Sequence, residues 1–169
     1  SMERRQLAKT GMLRSAHMLG NEEEIIFAAT DLLADTKLAP ELSNEAHYYR
    51  AKAYLDAGKT DGAMEDLKVL AKDTRNVYGA EAKYKVAQIY FDGGQTDKAE
   101  QEVLNYIEVS TPHTYWLARS FVLLADVYMK LGRNLDAKQY LLSLKQNYQA
   151  DDDIAGMIES RLEKLKTEN

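Results

Sequence analysis

Small and apolar residues recur along this chain at spacings of three and four, the period of an amphipathic α-helix, and glycine-centred breaks interrupt them. Three segments line up without internal gaps. The first is Ala51-Lys-Ala-Tyr54-Leu-Asp-Ala-Gly58-Lys-Thr-Asp-Gly-Ala63. The second is Ala87-Gln-Ile-Tyr90-Phe-Asp-Gly-Gly94-Gln-Thr-Asp-Lys-Ala99. The third is Ala125-Asp-Val-Tyr128-Met-Lys-Leu-Gly132-Arg-Asn-Leu-Asp-Ala137. Ala, Tyr, Gly and Ala stand at offsets 0, 3, 7 and 12 each time, and the copies step by 36 and then 38 residues.

This spacing predicts a helix, a tight turn and a second helix. An alanine at each end sits where two antiparallel helices come closest, and a larger side chain there would wedge them apart at about 1–3 kcal/mol. Tyr lies one turn beyond the first Ala on the same face. Gly closes the first helix where a left-handed residue is needed. Thr60, Thr96 and Asn134 are expected as N-caps of the second helices. Leu67/Leu70, Val103/Tyr106 and Leu141/Leu144 continue an apolar face. A degenerate fourth copy comes first, with Leu13, Ala16, Gly20 and Ile25 at the same offsets. Asn21 and Glu24 form a capping box for its second helix, and Ala29 and Leu32 extend its face. Pro40 and Pro112 fall between repeats, with Thr111-Pro112 read as N-cap and first helical residue. Residues 151–166 read as one more amphipathic helix, with acidic residues first, basic residues last, and Ile154, Met157, Ile158, Leu162 and Leu165 as its stripe. Its charged other side suits a terminal cap. The expected architecture is a single domain, 3–169, with hairpins at about 3–37, 40–75, 78–110 and 112–148 and a capping helix at about 151–167.

Composition agrees with that picture. The 169 residues are 45% apolar, enough to bury a core. With 11 Tyr against 3 Phe and 1 Trp, the large side chains suit half-wet helix faces. The net charge is −5, from 22 basic and 27 acidic residues interleaved along the chain, and no basic stripe marks a nucleic-acid binder. The absence of cysteine excludes disulfides, thiolate metal sites and a cysteine nucleophile, and it fits cytoplasm or periplasm equally. No apolar run is long enough to span a bilayer, so direct membrane insertion by this segment is not expected. Ser1-Met2 reads as a cloning remnant ahead of an excised piece of a larger protein.

The four phased copies resemble the tetratricopeptide repeat (TPR) over residues of about 6–149. In that family a bulky residue, Leu-Gly and Tyr mark the first helix, and Ala, Phe, Ala and Pro the second. The Leu-Gly place holds Arg50-Ala51, Val86-Ala87 and Leu124-Ala125. The period of 36–38 residues exceeds the family's 34. The extra residues follow the second helix, and the terminal proline is absent or displaced. Residues 117–128 and 137–141 are similar to the C-terminal region of long multi-repeat TPR proteins of Bacteroidetes, relatives that often sit in the cell envelope. The resemblance implies an all-α, right-handed α-α superhelix, a solenoid of about four helical hairpins plus a C-terminal capping helix. It also implies a concave groove lined by first helices. Carried onto this chain, the groove positions are Thr10 and Arg14, Tyr48 and Lys52, Tyr84 and Gln88, and Val122 and Asp126. A further position holds His17, Leu55, Phe91 and Met129. Along the axis, Arg14, Lys52, Gln88 and Asp126 would grade from basic to acidic. Tyr48, Tyr84 and Phe91 would be aromatic anchors. The competing expectation is that neighbouring helices or the parent's own chain cover these side chains. The lysine, asparagine and arginine set with which relatives clamp a peptide carboxylate is not reproduced.

Catalytic chemistry finds little support. His17, His47 and His113 are scattered over separate repeats, and His47 takes the bulky packing position of its helix. Gly93-Gly94 lacks the Lys-Ser/Thr and the strand of a phosphate loop. The run at 151–153 lacks the alternating ligands of a calcium loop and reads as an N-cap cluster. No cofactor is expected. The sequence favours a scaffold that binds a protein or peptide. The alternative is a structural segment that packs on its parent or on a copy of itself.

Overall fold

The computed structural model describes residues 1–167, and among them every regular element is an α-helix. Two compact units divide the chain, one of residues 1–73 and one from Thr74 onward. The first unit holds α1 (Met2–Leu19), α2 (Glu22–Leu33), α3 (Pro40–Asp56) and α4 (Thr60–Leu70). The second holds α5 (Val77–Asp92), α6 (Thr96–Val109), α7 (Thr114–Lys130), α8 (Asn134–Asn147) and α9 (Ile154–Thr167).

The repeated alanines sit at the helix contacts. Ala51, Ala63, Ala87, Ala99, Ala125 and Ala137 are each at most 1% exposed, and α3 packs on α4, α5 on α6, and α7 on α8. The glycine turn has the same hydrogen bonding in every copy. Gly20, Gly58, Gly94 and Gly132 have φ of 68°, 73°, 77° and 76°, a region costly for any residue with a Cβ. The residue after each glycine donates its backbone N–H to the carbonyl at offset 3. These bonds run from Lys59 to Tyr54 (2.7 Å), Gln95 to Tyr90 (2.8 Å), Arg133 to Tyr128 (2.8 Å) and Asn21 to Ala16 (3.2 Å). This closing bond satisfies one of the orphan carbonyls of the first helix.

That turn also corrects the expected caps. Lys59, Gln95 and Arg133 are the N-caps, without side-chain capping bonds, and Thr60, Thr96 and Asn134 are already helical. The turn brings the chain to the next helix one residue sooner than a capping Thr or Asn would need. Asp61, Asp97 and Asp136 in the first turns meet the helix dipole instead. Asn21 does cap α2, accepting from the Glu24 N–H at 3.1 Å. Thr111-Pro112 does not open α7. Its N-cap is His113, and the Thr111 hydroxyl donates to the Thr74 carbonyl and accepts from the His113 N–H.

One pair of positions links the two helices of each clear repeat. Counted from the first alanine, offsets −4 and +15 hold His47 and Asp66, Lys83 and Glu102, and Phe121 and Tyr140. The first pair meets at 2.7 Å (Nδ1 to Oδ1), the second at 2.7 Å (Nζ to Oε1), and the third as rings 6.1 Å apart. Asp66 is 1% exposed in the apolar stripe of α4, and Arg50 grips it as well, Nε to Oδ2 at 2.9 Å and Nη2 to Oδ1 at 2.7 Å. In the second unit Tyr106 is fully buried. Its hydroxyl donates to the Ala80 carbonyl at 2.9 Å, and burial pushes its pKa up to about 12.

The capping helix follows the packing logic of a repeat. α7 packs on both α5 and α6, and α9 in turn packs on both α7 and α8. It therefore takes the place of the first helix of a next repeat, burying Ile154, Ile158 and Leu165. Asp152 caps it, accepting from the Ile154 N–H at 2.9 Å.

Burial acts to raise the Asp66 pKa, but hydrogen bonds from His47 and Arg50 outweigh it and hold the carboxyl below its usual value. The stabilisation is thus present above the unfolded pKa and is lost as pH falls through the folded one. Asp66→Asn should cost about 3 kcal/mol in urea unfolding at neutral pH, by breaking a buried pair. The deficit should shrink as pH is lowered below about 4. A deficit independent of pH would mean that the ion pair contributes nothing.

Candidate functional site

The positions assigned to the groove are distributed over the two units. In the first unit, the first helices α1 and α3 bring several of them side by side. The Arg14 guanidinium holds the Glu45 carboxylate with two bonds, at 2.7 and 2.9 Å. The His17 ring stacks on Tyr49, with centroids 4.1 Å apart and planes 16° from parallel. Lys52 lies over the Tyr48 ring at 4.9 Å and donates to its hydroxyl at 3.1 Å. Leu55 is half-buried. Thr10 is turned inward, and its hydroxyl donates to the Gln6 carbonyl at 2.7 Å.

In the second unit, two of the assigned positions are interior. Tyr84 is 6% exposed and Val122 is 3% exposed. The Tyr84 hydroxyl donates to Gln88 Oε1 at 2.9 Å and accepts from Arg119 Nη2 at 2.9 Å, while the Arg119 guanidinium lies 4.8 Å from its ring centre. Burial raises the Tyr84 pKa, although Arg119 works against it. Gln88 passes the chain of bonds on to Asp92 at 2.8 Å. Tyr84 is therefore a packing residue engaged by Arg119, whose side chain also donates to the Tyr115 hydroxyl at 3.0 Å.

The remaining three assigned positions of this unit converge. Phe91, Asp126 and Met129 line a cleft of about 530 Å³. Lys130 from the end of α7 joins them, and Ser160, Arg161 and Lys164 close the cleft from α9. Arg161 binds Asp126 through Nε and Nη2, each at 3.1 Å. The pair is partly exposed, so solvent screens it and it holds the cleft together only weakly. The floor is apolar and polarizable, from Phe91 and Met129. The rim carries three cations and one carboxylate.

The acidic end expected from Asp126 is thus offset by α9. The sequence does carry the signal: Ser160, Arg161 and Lys164 fall on one flank of the capping helix beside its apolar stripe. It was obscured because α9 reads as a cap, and only its packing against α7 puts that flank beside Asp126 and Met129.

Tetratricopeptide repeat models match residues 45–73 and 118–146, the stretches that include most of α3 with α4 and most of α7 with α8. No curated protein matches the sequence. Among solved structures, the chain is similar to the crystal structure of the nearly identical TPR-like repeats of a Podosopora anserina kinesin light chain, at 15% identity, over 96% of this chain and 94% of that one, with a TM-score of 0.59. It is likewise similar to the crystal structure of MamA, at 20% identity, over 93% of this chain and 96% of that one, with a TM-score of 0.61. At such identities the likeness speaks to the fold. The chain thus carries tetratricopeptide repeats within an all-α fold of the α-α superhelix class.

Proposed function

We propose that this chain is a binding module, not an enzyme, and that it holds a segment of another protein in the α5–α7–α9 cleft. Repeats of this kind commonly mediate protein–protein interaction, and the first helices are the elements the repeat pattern assigns to contact. The observation that carries the reading is the meeting of Phe91 and Met129 with the charged side chains of α7 and α9 around one concavity. An apolar floor supplies affinity, and a charged rim fixes orientation. The partner is a protein or peptide, with no cofactor and no nucleic acid involved.

A second reading rests on a different face. Leu7, Met18, Leu19 and Phe27 on α1 and α2 are each at least 69% exposed, an unusual concentration of large apolar side chains on the first helix pair. That face suits a structural role, in which α1 and α2 pack on further polypeptide of a larger protein or on a second copy.

A photo-crosslinking residue placed at Met129 should yield discrete adducts from cell lysate, and the same residue at exposed Leu135 on α8 should not. Identical adducts from both positions would sink the cleft assignment. Light scattering on the purified chain tests the second reading. A dimer lost in Leu19→Ser/Phe27→Ser supports self-packing, and a strict monomer at high concentration removes that version.

A further inference from the structure

The rim of the cleft has an unusual charge. The chain as a whole is acidic, at −5, yet this one concavity gathers Lys130, Arg161 and Lys164 against Asp126 alone. Among the described residues, neither Lys130 nor Lys164 has a carboxylate within ion-pair distance, although Lys83, Lys85, Arg133, Lys145 and Lys166 of this unit do. Arg161 uses Nε and Nη2 on Asp126, and its Nη1 has no acceptor among the described residues. Two ammonium groups and part of a guanidinium fork therefore surround an apolar floor without the anions that would neutralise them.

We infer that the cleft takes an acidic peptide segment, with carboxylates on Lys130, Lys164 and Arg161 and one apolar side chain on Phe91 and Met129. This inference rests on the cleft reading above and adds the chemistry of the partner. Carboxylates on these cations form charge-assisted hydrogen bonds, the stronger class. The partly exposed Arg161–Asp126 pair can share its guanidinium without a large loss. A nucleic-acid strand is a poorer occupant. Three cations neutralise few phosphates, so a strand gains little counterion release here. A membrane surface is poorer still, because Phe91 and Met129 are half-buried in a concavity instead of projecting from a helix face.

The test is selection from a random displayed peptide library on the whole chain, repeated on Lys130→Glu/Lys164→Glu and on Phe91→Ala/Met129→Ala. Both lysines are exposed, and circular dichroism melting verifies that each variant is folded. Wild type should select peptides in which Asp and Glu flank an apolar residue. A selected peptide should bind the charge-reversed variant at least tenfold more weakly, and raising salt should weaken its binding to wild type. Selected peptides without acidic enrichment, lost in Phe91→Ala/Met129→Ala, would overturn the acidic inference and leave the cleft reading standing. Acidic peptides bound equally by wild type and both variants would overturn both, as would a library that yields no binder. An oligonucleotide that outcompetes the selected peptides would overturn the choice of occupant.

Discussion

A buried alanine on each helix of a pair permits the close packing on which the rest of each repeat is built. Dispersion contacts fall off within an ångström, so a close crossing lets larger side chains on either side interlock. Tyr54, Tyr90 and Tyr128 lie one turn beyond the first alanine and are covered from the opening turn of the second helix. The Tyr54 ring leaves so little room that a Cβ on Gly62 would stand 3.1 Å from it. At the place equivalent to Gly62, Lys98 reaches over Tyr90, at 5.6 Å, and in the third repeat Arg133 covers Tyr128 from the N-cap, at 4.3 Å. The glycine turn joins the helices at this distance, and its closing hydrogen bond ends on the carbonyl of the same tyrosine. One spacing thus fixes the crossing, the covered ring and the turn together.

Variation is confined to what the crossing tolerates. The contact at offsets −4 and +15 is a histidine–carboxylate pair in the first clear repeat, an ion pair in the second and a ring pair in the third, so the position is kept while its chemistry changes. After α8, α9 occupies the place of a next first helix. Its polar flank, with Ser160, Arg161 and Lys164, lies against α7. The cleft follows from that packing: α9 supplies Arg161 and Lys164 beside α7.

Much of the fold was legible because the repeat reports it several times over. The alanines, the left-handed glycines, the apolar faces and the cap of α9 by Asp152 all follow from spacing and local chemistry. The N-caps were misread because Thr60, Thr96 and Asn134 are good capping residues, and propensity alone does not reveal that the turn arrives one residue early. Asp66 was missed because a lone carboxylate on an apolar stripe reads as noise until Arg50 and His47 are seen to reach it from the neighbouring helix. The site was legible only in part. Phe91, Asp126 and Met129 line the cleft, but Tyr84 is held inside by Arg119, whose place 35 residues further along gives no sequence clue. Arg161 meets Asp126 across the same separation of 35 residues.

Every placement above depends on the phase of the repeat, so the most direct measurement is the stability of Ala87→Leu by urea unfolding. With Ala87 at the contact of α5 and α6 and 1% exposed, the added side chain has no room. The expected loss is about 1–3 kcal/mol. A neutral or stabilising result would contradict the close crossing, and with it the register that places Phe91 in the cleft.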